Sequence, residues 1–100
     1  MFFVILASDR PGALELRLKH RQRHIDYWAE KPGVVKLAGA MLTDGTAAAT
    51  PKGSAFIIEA ESLDAARALL ADDPFTIEGV FGDRMRIEPL RPSIGDWLPC

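Results

Sequence analysis

With 100 residues, 48% of them hydrophobic and 26% charged, the chain has room for one core and reads as an ordinary soluble globular domain. A net charge of −2 and a pI near 5.6, with no basic patch interleaved with aromatics, exclude nucleic acid as the main partner. The single cysteine, Cys100, excludes an intrachain disulfide and makes a reducing, cytoplasmic setting the expectation.

Phe2 to Ala7 is an unbroken apolar run closed by Ser8-Asp9-Arg10-Pro11-Gly12. It is too short for a signal peptide or a membrane span and reads as a buried central strand followed by a turn. A helix is expected from Gly12 or Ala13 to the break at Pro32-Gly33, with Ser8 or Asp9 as its cap. Within it Leu14, Leu18, Ile25 and Trp28 recur at the spacing of one helical face. Arg21 falls inside that apolar stripe, and Arg17 and His24 lie along its edge. The three polar groups rise one above another and could address one object together. His20 lies about 100° around the helix from Arg21, off the apolar stripe, and is assigned to solvent.

Val34 to Met41 reads as a second strand, with Gly39 where a side chain would obstruct a neighbour. Thr43 to Gly53 is a small, polar loop and the least ordered piece expected. Ser54 to Ala60 is a third strand. Ser62 caps a short second helix whose apolar face is Leu63, Ala66, Leu69 and Leu70. Asp73 to Gly79 is irregular, and Arg84 to Leu90 alternates like a half-exposed fourth strand. A domain over residues 1–92 is thus followed by a tail, 93–100. Ile94, Trp97 and Leu98 are too apolar for a free end and should dock on a partner subunit or over a pocket mouth.

Strand–helix–strand–strand–helix–strand is the order of an α+β, ferredoxin-like βαββαβ sandwich, with both helices on one face of a four-stranded antiparallel sheet. The first strand is apolar on both faces, so the uncovered sheet face calls for a second copy. A homodimer is the expectation.

An arginine on an apolar helix stripe is costly to bury unpaired, by several kcal/mol, so it either snorkels out to solvent over its aliphatic stem or faces something anionic. Arg17 and Arg21 are therefore candidates to bind a carboxylate or phenolate oxygen of a substrate. His24, on the same edge, is a candidate general acid or base. Asp73-Pro74, taken alone, reads as a helix N-cap with proline at the first helical position. Two histidines and one terminal cysteine give no metal-ligand spacing, and no phosphate-binding glycine loop or Ser/Cys nucleophile motif occurs. No cofactor or metal is expected.

The ordered set of FFVILASD, Leu14-x-x-Arg17-Leu18-x-x-Arg21-x-x-His24, Leu37-Ala38-Gly39 with Met41, Glu61-Ser62-Leu63-x-Ala65-Ala66 and Asp73-Pro74-Phe75 before Gly79-Val80 resembles the YCII-related (YciI-like) family. The resemblance implies a dimeric α/β-barrel in which His24 and Asp73 form an active-site pair. It also brings in a characterised relative, a dehydrochlorinase of a chlorinated hydroxyquinol. The chain departs from the pattern at Ala40, where relatives often carry proline, and in its longer tail. Helix lengths leave Asp73 about 6 Å above His24 along the axis, a gap the irregular segment could close. The function expected is cofactor-free acid–base chemistry, an elimination or isomerisation on a small anionic organic molecule. The alternative is a non-catalytic dimeric module that binds a small molecule or a protein.

Overall fold

The structure, a computed structural model, describes residues 1–96. Its elements run β1 (Phe2–Asp9), α1 (Leu14–Ala29), β2 (Val35–Leu42), β3 (Pro51–Glu59), α2 (Leu63–Ala71), α3 (Pro74–Ile77) and β4 (Phe81–Leu90). The four strands form one antiparallel sheet in the order β2-β3-β1-β4, with the helices on one face: a ferredoxin-like α+β fold. β1, apolar from Phe2 to Ala7, lies inside the sheet, paired to β3 from Phe2↔Glu59 to Ser8↔Gly53 and to β4 from Phe2↔Leu90 to Ala7↔Met85. Its Phe3, Ile5 and Ala7, with Phe56 and Ile58 of β3, form the floor of the core. Trp28 of α1, Ala66 and Leu70 of α2, and Phe75, Val80 and Phe81 close over them. No helix among the described residues is long and apolar enough to cross a membrane.

Several local expectations change. The segment expected to be irregular contains α3, a single turn started by Asp73 and Pro74. β4 begins at Phe81 rather than Arg84 and β3 at Pro51 rather than Ser54, so less of the chain is loop. The remaining β2–β3 loop is closed by Thr43 N–H on Thr50 O (3.0 Å) and by an Asx turn in which Thr46 donates to Asp44. Neither Ser8 nor Asp9 caps α1; its N-cap is Ala13 with no side-chain bond, and Asp9 is engaged elsewhere. A side chain at Gly39 would meet open space. At Gly53 a Cβ would lie 2.5 Å from Ala7 O and 2.6 Å from Met41 Cε, so Gly53 is the position where backbones close in.

The largest change concerns α1. Leu14, Leu18 and Ile25 are exposed, at 37%, 60% and 38%, and Arg21 is exposed with them. The buried face carries Arg17, His20 and Trp28. His20, expected in solvent, is buried because its Nδ1 meets Arg23 Nη1 (3.1 Å) and its Nε2 approaches Glu78 beside α3 (3.9 Å). In the tail Ile94 is 91% exposed in the single chain, while Trp97 and Leu98 lie outside the described residues.

Candidate functional site

The helix-to-sheet interface holds a polar centre inside an aromatic shell. Asp73, with none of its surface exposed, starts α3 by accepting Phe75 N–H at Oδ1 (2.9 Å). The same carboxylate accepts the Trp28 indole N–H at Oδ2 (2.8 Å). Its two oxygens also lie 2.8 and 2.9 Å from His24 Nδ1. The capping and pairing alternatives for Asp73 are therefore one arrangement, since a carboxylate has lone pairs enough for all three partners. Indole and amide can only donate, so the third contact is a hydrogen bond when Nδ1 carries the hydrogen. That leaves Nε2 of His24 with its lone pair free.

The imidazole is fixed in plane as well as in direction. It stacks on Phe75 with ring centres 4.0 Å apart and planes 7° from parallel, and Phe56 and Phe81 meet it edge to face. α1 supplies the ring and α3 its stacking partner, while β3 and the start of β4 supply the walls. The His24 side chain keeps 13% of its surface accessible.

Two turns earlier on α1, Arg17 is 5% exposed and lies over the same Phe75 ring, its Cζ 4.7 Å from the ring centre. Its charge is answered within the chain. Nε and Nη2 donate to the two oxygens of Asp9 (2.7 and 2.8 Å), and Nη2 also donates to Ser54 Oγ (2.8 Å). Nη1 has no hydrogen-bond partner among the described residues. Arg21 lies on the solvent side of α1, apart from this centre. The structure thus brings His24, Asp73 and Arg17 around Phe75 and leaves Arg21 outside.

Two flanking contacts hold α1 to the α2–α3 region. Arg23 donates to Glu78 (3.0 Å), and this hydrogen bond, aided by the charges of His20, Arg23 and Lys19 against a smaller burial effect, keeps the Glu78 carboxyl below the usual range. The Tyr27 hydroxyl donates to Leu69 O (2.6 Å); burial chiefly, then the negative charges of Asp72 and Asp73, push its ionisation up. Two surface hollows flank the region, and His24 lines neither. One, about 580 Å³, is bounded by Ser8, Asp9, Arg10, Pro11, Gly82, Asp83 and Arg84, with Asp9 joining it to Arg17. The other, about 330 Å³, lies between α2 and β4.

Sequence reasoning assigned Asp9 to a cap, Trp28 to the core, and Ser54 to no role at the site. A search for partners would have found two of them. A buried arginine needs a carboxylate, and the strand end preceding its helix offers Asp9. A buried indole N–H needs an acceptor, and Asp73 is one.

The comparisons with known proteins agree with this architecture. The chain is 33% identical over 96 residues to Protein YciI of Escherichia coli O6:H1, covering 91% of this chain and 97% of that one. An uncharacterized protein of Haemophilus influenzae is 34% identical over 88 residues, 83% of this chain and 90% of the other. Among solved structures, 5-chloro-2-hydroxyhydroquinone dehydrochlorinase (TftG) from Burkholderia phenoliruptrix AC1100, in complex with 2,5-dihydroxybenzoquinone, superposes with a TM-score of 0.85. It shares 32% identity over 93% of this chain and 96% of its own. A family model for the YCII-related domain matches residues 1–90, and with these relatives it shows that the chain belongs to the YCII-related family.

Proposed function

We propose that the protein is a small cofactor-free enzyme performing acid–base chemistry on a small anionic organic molecule, an elimination or isomerisation. The observation that carries this reading is the His24–Asp73 pair, a histidine with Nδ1 2.8 Å from a fully buried carboxylate and its other nitrogen uncommitted. His24 Nε2 takes a proton from the substrate, and the electron pair left behind forms the new π bond as the leaving group departs with its own pair. Asp73 holds the ring and balances the imidazolium that forms, a role worth about 10²–10⁴-fold in rate together with the histidine. Arg17 offers Nη1 to an anionic oxygen; Arg21, on the solvent side of α1, stays outside the centre. The similarity to a dehydrochlorinase supports the elimination.

A homodimer is the proposed working unit. On the sheet face away from the helices Phe2, Val4 and Leu6 of β1 lie beside Ala55 and Ile57 of β3 and the exposed Leu37 of β2. Such an apolar face is covered in water, and a second copy is the proposed cover.

A non-catalytic binding module is the second reading, favoured by His24 lining neither hollow of the single chain. Chloride release from 5-chloro-2-hydroxyhydroquinone separates the two. The enzyme reading expects turnover that falls about 10²-fold or more in His24→Ala. Turnover unchanged in that variant overturns the mechanism. No turnover, with thermal stabilisation of the wild type by 2,5-dihydroxybenzoquinone, supports the module.

A further inference from the structure

We propose that Trp28 is a positioning residue for the His24–Asp73 pair, acting through its indole N–H rather than through its bulk; this rests on the acid–base reading above. A carboxylate turns easily about its terminal torsion, which has a broad, roughly two-fold profile. One anchored oxygen leaves that rotation open. Here each oxygen has an anchor of its own: the Phe75 amide on Oδ1 (2.9 Å) and the Trp28 indole on Oδ2 (2.8 Å). With both engaged, the carboxylate plane is fixed, and the lone pairs that remain converge on Nδ1 at nearly equal distances, 2.8 and 2.9 Å.

The indole is itself immobilised. It is 7% exposed, meets Phe56 at 5.4 Å between ring centres, and is met edge-on by Tyr27 at 5.0 Å. It lies one turn beyond His24 on α1, so a single helix presents both the imidazole and the donor that aligns its partner. Phenylalanine or leucine at position 28 would fill much of the same space. Neither would hold Oδ2, and the buried oxygen would be free to swing away from the ring.

The test uses the free protein, labelled with ¹⁵N-histidine, and reads the His24 ring by long-range ¹H–¹⁵N spectra and by exchange of its Nδ1–H with water. In the wild type the proton is expected on Nδ1, protected from exchange. Trp28→Phe should accelerate that exchange about tenfold, the weight of roughly one hydrogen bond to a charged group. Replacing Trp28 by 3-benzothienylalanine, which keeps the indole shape and lacks the N–H, should do the same and covers the case in which phenylalanine disturbs folding. Tyr27→Phe, which removes the neighbouring bond to Leu69 without touching Asp73, should leave the exchange unchanged. Exchange unaltered by both replacements at position 28, or accelerated equally by Tyr27→Phe, overturns the positioning role while the acid–base reading stands. A wild-type His24 protonated on Nε2 alone overturns that reading itself.

Discussion

At the scale of single residues, Asp73 carries three loads that a substitution can separate. Serine caps a helix nearly as well as aspartate, so a residue that did nothing but cap would lose only a few tenths of a kcal/mol in Asp73→Ser. Here the change also strands the Trp28 and His24 N–H groups in the core, each at a cost of about 1–3 kcal/mol. Urea unfolding is expected to show a loss of about 2–6 kcal/mol; a loss of a few tenths would reduce Asp73 to its cap. Arg17 poses the matching question. Its side chain and that of Asp9 are 6% and 7% exposed, so removing one partner leaves a buried charge. Asp9→Ala should cost about 3–5 kcal/mol, and the double variant Asp9→Ala with Arg17→Met should recover most of it. A double variant as unstable as the single one would contradict the pairing account. His24 and Arg17 were legible in the sequence as polar groups on a helix edge. The family resemblance paired Asp73 with His24 across 49 positions, which residue pattern alone could not do; Ser54, 37 positions from Arg17, was missed because only the fold brings it near.

At the scale of elements, the strands and long helices were legible from periodicity, while the rotation of α1 was not. Leu14, Leu18 and Ile25 point one way and Arg17, His20 and Trp28 another, about 90° apart at roughly 100° per residue. Hydrophobicity favours the first face. The second is buried because Asp9, Ser54, Glu78 and Asp73 answer its polar groups, which no local pattern records. α3 was missed for a different reason: four residues make one turn, too short for a period to show. Two checks belong to this scale. Gly53→Ala places a methyl against Ala7 O and should destabilise the β1–β3 pairing by about 1–3 kcal/mol in thermal unfolding, since backbone cannot step aside. The contacts of α1 also shape the pH dependence. The folded-state pKa of Glu78 is lowered, so its contribution is present above the unfolded value near 4.3 and fades as pH falls through the folded one. The folded-state pKa of Tyr27 is raised, so its contribution holds below about 10 and fades as pH rises through the folded value. Glu78→Gln should flatten part of the acid limb of a stability–pH curve and Tyr27→Phe part of the alkaline limb, with each leaving the other limb in place.

At the scale of the whole molecule, the open sheet face is apolar on β2, β3 and β1 and charged on β4, where Arg86 and Glu88 pair with Leu6 and Val4. A second copy on this face should bury more than about 1,000 Å² in total, and light scattering should report twice 11.0 kDa. Val4→Lys, on the central strand, should return the molecule to 11.0 kDa without unfolding it; a wild type found only at that mass would leave the face without its proposed cover. The βαββαβ order was legible because each strand and long helix carries its own period, while the sheet order β2-β3-β1-β4 keeps only β2 and β3 adjacent both in the chain and in the sheet. The pairing of the first strand with the last has a different consequence. Phe2 is registered against Leu90, so β1 begins where β4 ends, about 5 Å away between paired Cα atoms. The stretch from Phe2 to Leu90 is topologically close to a ring. A linker of a few residues from Leu90 to Met1, with new ends cut in the exposed Asp44–Ala49 loop, should give a circular permutant that keeps β1, α1 and the 73–81 segment in place. The same closeness lets such a domain be inserted into a surface loop of another protein without prying its host apart.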